Sequence, residues 1–144
     1  MVHVNRSALV PYSTVQMYSL VDNIEAYPTF LPWCRSVKEL SRSEEQVEAS
    51  IEIAKGGINK TFTTQNQMQE NQQIEMKLVD GPFKHLHGFW RFDALKADAC
   101  KVSLELDFEF SNPLVKMALG SIFNQIANTL VDSFVKRARE VYGH

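Results

Sequence analysis

Two periods of apolar residues divide the chain. From Cys34 to Phe110 the period is two. Val47, Ala49, Ile51 and Ile53 alternate with Glu48, Ser50 and Glu52, while Val102, Leu104, Leu106, Phe108 and Phe110 alternate with Lys101, Ser103, Glu105, Asp107 and Glu109. Successive side chains of a strand point to opposite faces, so the pattern predicts strands with one apolar and one wet face. From Asn112 to Tyr142 the spacing becomes helical, with Leu119, Ile122, Phe123, Ile126, Leu130, Phe134 and Val141 forming one stripe. Asn112 suits the N-cap, and Pro113 suits the first helical position, where its missing N–H costs nothing. Leu114, Val115, Met117 and Ala118 widen the apolar arc in the first half of this helix, which predicts a broad partner surface there.

Between these signals lie the punctuating residues. Positions 2–10 are valine-rich and alternate weakly, as a strand that ends at Pro11. Ser13-Thr14-Val15-Gln16 has the form of a capping box opening a short helix. Asp22-Asn23-Ile24-Glu25 repeats the device, so a second helical turn is expected from about Asp22, stopped by Pro28 and Pro32. Tyr27–Trp33 then reads as a proline-broken loop whose Tyr27, Phe30 and Trp33 either plug or rim an opening. Further on, Val37 and Leu40 mark a strand, and Lys55-Gly56-Gly57-Ile58 supplies a tight hairpin turn. Residues 58–69 form a threonine-rich strand with Phe62 and Met68 on one face. After a polar break at Asn71 come Ile74, Met76 and Leu78, then an Asp80-Gly81-Pro82 turn. The next strand sets Leu86, Gly88, Trp90 and Phe92 against His87, Phe89, Arg91 and Asp93. Strand, two short helices, about six strands and a long helix predict an α+β fold, an antiparallel meander curved around the terminal helix. At 144 residues with no linker or repeat, one domain spanning 1–144 is expected.

Composition narrows the function classes. An apolar fraction of 44% with 22% charged residues is that of a globular protein. Fifteen basic residues against seventeen acidic ones give a net charge of −2, so no overall field draws the chain to DNA. No apolar run approaches the roughly 20 residues of a spanning helix. Met1–Arg6 lacks a secretory apolar core, and a cytoplasmic location is expected. Cys34 and Cys100 are far apart and read as free thiols. Ser, His and Asp residues are scattered without a nucleophile elbow. His85 and His87 share a strand face but have no third ligand spaced to join them. Glu105, Asp107 and Glu109 read as a solvated face, and Gly56-Gly57 as a turn rather than a phosphate loop. No catalytic residue, metal or required cofactor is therefore expected.

Several words in the chain are more specific. They are Arg6-Ser7 through Pro11-Tyr12, Val21-Asp22, the run Tyr27-Pro28-Thr29-Phe30-Leu31-Pro32-Trp33-Cys34, Gly81-Pro82-Phe83-Lys84, Trp90-Arg91-Phe92, and Phe134-Val135-Lys136-Arg137-Ala138 with Val141-Tyr142-Gly143. Together with the element order, they resemble the RatA and coenzyme Q-binding branch of the START, or helix-grip, superfamily. The resemblance implies a curved antiparallel sheet of six to seven strands wrapped around the C-terminal helix, with a cavity between them. Two roles follow from it. One is non-enzymatic binding of ubiquinone, another polyprenyl quinone or a lipid in support of respiration, with peripheral membrane contact. The other is a toxin-like role, binding the large ribosomal subunit and blocking 70S association, with an antitoxin-like protein as partner. Relatives of this fold also include cyclases and dehydratases. For a ligand, the expected cavity residues are Phe62, Met76, Trp90 and Phe108 on the sheet and Met117, Ser121 and Ile122 on the helix, with Phe30 and Trp33 at the entrance. For ribosomal RNA, the expected contacts are Lys136, Arg137 and Arg139, because phosphate binding rests on Lys and Arg. Arg35, Lys38 and Arg42 form a second cluster.

Overall fold

Seven antiparallel strands pair in the order β1-β7-β6-β5-β4-β3-β2 in the computed structural model, which describes residues 1–143. The strands are β1 (Val2–Val10), β2 (Cys34–Arg42), β3 (Gln46–Lys55), β4 (Ile58–Gln69), β5 (Gln73–Asp80), β6 (Phe83–Lys96) and β7 (Ala99–Phe110). Helix α1 (Thr14–Asp22), a 3₁₀ turn (Ile24–Ala26) and the single helical turn α2 (Tyr27–Phe30) connect β1 to β2, and α3 (Pro113–Tyr142) closes the chain. Strands β2 to β7 follow one another by short turns. β1 pairs with β7 at the far edge, from Val2 opposite Phe108 to Val10 opposite Cys100. The sheet grips α3 along its concave face, as the helix-grip resemblance implies.

Local chemistry sets the corners. Gly56 and Gly57 have φ of +59° and +83°, the left-handed pair that a two-residue hairpin requires and that side-chain-bearing residues resist. The Ser13 hydroxyl accepts from the Gln16 N–H at 3.1 Å, and the Gln16 side chain accepts from the Ser13 N–H at 2.9 Å, completing the capping box. Asn112 caps α3 by accepting from the Val115 N–H at 2.9 Å. The other end of α3 is latched to the start of the fold. The Tyr142 hydroxyl donates to the Gln16 carbonyl at 2.9 Å, and the Tyr12 hydroxyl donates to that of Gly143 at 2.6 Å.

Three expectations change here. Pro28 does not break the segment it sits in. It occupies the first turn of α2, where the N–H it lacks would have had no helical partner. Asp22 does not cap the following turn either, because its carboxylate is drawn to Arg42, which donates to it at 2.9 Å. Nor is the first half of α3 packed over a broad arc. Leu114 and Met117 are 77% and 82% exposed. At roughly 100° per residue, Met117 lies about 160° around the helix from buried Leu119, so the two cannot face one sheet. The stripe that packs runs through Leu119, Phe123, Ile126, Ala127, Val131, Phe134 and Ala138, and Val141 is exposed.

Two buried clusters fill the grip. One gathers Tyr27, Trp90, Phe92, Val131 and Phe134, and the other Phe83, Phe108, Phe110, Leu119 and Phe123.

Candidate functional site

The space between the clusters is hollow, and small residues make it so. One row across the sheet runs Val47, Asn66, Met76, Gly88, Leu106, Val4, and the neighbouring row places Ala49 opposite Thr64. Gly88 presents no side chain. A Cβ there would lie 2.5 Å from the Glu105 carbonyl oxygen and 2.8 Å from the Leu106 side chain, so only glycine fits. Above this floor α3 contributes Ala127. Small side chains on β3, β4 and α3, namely Ala49, Thr64 and Ala127, leave a cavity of about 90 Å³, walled by aliphatic and aromatic side chains.

Of the residues expected to line it, Trp33, Phe62, Met76 and Trp90 do so. The others lie elsewhere. Phe30 meets Tyr27 and Phe134 edge-on, at ring distances of 6.0 and 5.3 Å, so its segment plugs one end of the core rather than rimming an opening. Phe108 is locked in the second aromatic cluster, 4.8 Å from Phe123 and 5.6 Å from Phe110. Met117 and Ser121 are exposed, and Ile122 packs at the edge of the second cluster, outside the cavity. The helix wall is instead the middle of α3, from Phe123 through Ile126, Ala127 and Leu130 to Phe134. Periodicity names the buried face of a helix but not the turn that faces a void.

The polar content of the cavity is small. Thr64 is buried, and its hydroxyl donates to Asn66 Oδ1 at 3.0 Å. These residues share parity with Phe62 and Met68, so two polar side chains on the apolar face of β4 were a readable signal. Among the described lining residues the titratable groups are Asp22 and Tyr27. The Tyr27 hydroxyl donates to the Val21 carbonyl, and burial raises its pKa far above the ordinary phenol range. Asp22 is held by Arg42, which also donates to Glu39 and to the Asp22 carbonyl. Both side chains are thus hydrogen-bonded to partners within the fold. Burial pushes both thiols, Cys34 and Cys100, up to about 11, which keeps them protonated and unreactive at neutral pH.

The cation clusters separate in the same way. Lys136 and Arg139 are exposed, whereas the Arg137 guanidinium lies over the Phe30 ring, 5.1 Å from its centre. Arg42 is committed to its two acids, leaving Arg35 and Lys38 exposed.

The family described as polyketide cyclase / dehydrase and lipid transport matches residues 10–135. The persistence and stress-resistance toxin PasT of Escherichia coli is 49% identical over 142 residues, covering 99% of this chain and 90% of that protein. The ribosome association toxin RatA of Escherichia coli is 48% identical with the same coverage. A mitochondrial coenzyme Q-binding protein, COQ10 homolog B of Xenopus laevis, is 27% identical over 96% of this chain and 59% of its own length. Among solved structures, the Zhui aromatase/cyclase from a Streptomyces species superposes with a TM-score of 0.85 over 97% of this chain and 95% of that one, at 16% identity. That likeness is one of fold.

Proposed function

Because the chain belongs to the polyketide cyclase / dehydrase and lipid transport family, in the branch of the RatA ribosome association toxins, we propose that it is a non-catalytic binding protein. In this reading it associates with the large ribosomal subunit and lowers 70S formation. The observation that carries the reading is the 48% identity with a RatA protein along 99% of the chain, which leaves no part of the fold outside the likeness. The cavity chemistry agrees with it, since Asp22 and Tyr27, the titratable groups of the described lining, are both hydrogen-bonded to partners within the fold. Exposed Lys136 and Arg139 at the end of α3 supply phosphate contacts, while Arg137 is reserved for Phe30.

Added in excess to separated subunits, the protein is expected to lower the 70S peak of a sucrose gradient. The effect should fade as salt rises, because phosphate contacts release counterions. The pair Lys136→Glu and Arg139→Glu is expected to weaken it about thirtyfold, each of the two lost phosphate contacts being worth on the order of 1 kcal/mol. An unchanged gradient at large excess of the unaltered protein overturns the role.

A second reading, favoured by the apolar lining of the hollow, is that the cavity holds a quinone or lipid. Ligand sites for drug-sized molecules occupy roughly 300–1,000 Å³. The 90 Å³ here is therefore sized for a ring or a short chain segment, and a polyprenyl tail requires the walls to part.

A further inference from the structure

Among the cavity's walls, one strand breaks the apolar rule. β4 points Phe62, Thr64, Asn66 and Met68 inward, and at Thr63–Thr64 its pairing with β5 shifts register, Thr63 facing Asp80 and Thr64 facing Leu78. Such bulges re-aim side chains and recur beside binding sites. Thr64 is 6% exposed, the one buried polar residue among those described.

We propose that the Thr64–Asn66 pair is a polar anchor that selects apolar ligands carrying a neutral carbonyl oxygen, such as a quinone, ketone or ester. The proposal rests on the second reading above, that the cavity holds a ligand. The hydroxyl of Thr64 donates to Asn66 Oδ1, so the acceptor side of the Asn66 amide is occupied while its NH₂ group retains donors. Asn66 is half-buried and lines the cavity, so a ligand seated there covers these donors and must offer them an acceptor, because a polar group buried without a partner is costly. A carboxylate ligand does not fit. No Lys or Arg lines the cavity among the described residues, and the one ionisable acid there, Asp22, is of the same sign. A neutral carbonyl satisfies the donor without bringing a charge. Space for the rest of the molecule lies beside Asn66, toward Met76 and Leu106 on the sheet and Ala127 on α3.

Duroquinone and durene share one carbon skeleton and differ in the two quinone oxygens, and neither alkylates thiols readily. Isothermal titration of both compounds into the unaltered protein and into the Thr64→Val/Asn66→Leu double variant tests the anchor. Replacing both partners keeps volume and leaves no stranded hydroxyl. The ratio of duroquinone to durene affinity is expected to fall about tenfold in the variant, the worth of one buried hydrogen bond, with durene binding retained. A ratio that stays the same, or an equal loss for both compounds, overturns the anchor while leaving the cavity a ligand site. Binding of neither compound to the unaltered protein removes the ligand reading and the anchor with it. Thermal melting of the variant at or above the unaltered protein's temperature is the expected sign that its fold is intact.

Discussion

Phe134→Ala is expected to lower the unfolding free energy by about 3–5 kcal/mol, the range for removing a large aromatic from a packed core. The residue is 1% exposed and its ring meets three others edge-on: Tyr27 at 5.4 Å, Phe30 at 5.3 Å and Trp90 at 5.3 Å. It therefore joins α3 to α2 and to β6 at one point. The space it vacates would merge with the existing cavity, so the walls cannot collapse onto it cheaply, and the loss belongs at the upper end of the range. Urea denaturation measures the change. A loss below about 1 kcal/mol would show that the ring is not the joint described, since even a single buried hydrogen bond is worth that much.

Filling the cavity is expected to separate stability from binding. Ala127 is 1% exposed and faces the hollow from the middle of α3. Ala127→Leu adds three carbons where volume is free, and leucine is close to alanine in helix propensity. At about 0.8 kcal/mol per buried methylene, a gain of roughly 1–2 kcal/mol is expected, less whatever overpacking costs. The same variant should carry no quinone or lipid on gentle extraction and native mass spectrometry, whereas the unaltered protein retains one. Such a trade is common where a site is kept open for function. If the filled variant still carries ligand at the unaltered level, the hollow is not where the ligand sits. Activity in the ribosome gradient gives a further contrast, because a cavity without influence on the surface leaves the 70S effect of the variant untouched.

How far the sequence could be read depended on whether a feature was local. Strand β4 was legible to its ends, residues 58–69, because Gly56-Gly57 before it and the polar break at Asn71 after it are punctuation in the chain itself. The Ser13 capping box and the Asn112 cap were legible for the same reason. Pro28 was not, since proline can stop a helix or begin one and the choice lies in what packs around it. Here Tyr27 inserts beside Phe134, and the turn starts. Four of the nine residues expected around the cavity, Trp33, Phe62, Met76 and Trp90, border the hollow. Phe62, Met76 and Trp90 followed from strand parity, whereas Met117 and Ser121 followed from a helix arc wider than the sheet beneath it.

The order of elements, the apolar face of each strand, the hairpin turns and the start of α3 are written in the chain, because each rests on neighbours within a few residues. That the core is hollow, and where, emerges from packing between distant segments. The void is the joint effect of Ala49 on β3, Thr64 opposite it on β4 and Ala127 on α3 meeting over one patch of sheet. Register and helix docking bring those residues together from far apart in the chain, and no local pattern encodes a sum of volumes across three elements. The same holds for the charges. Arg137 looks like its neighbours in sequence, and it is set apart only when the fold lays it over Phe30.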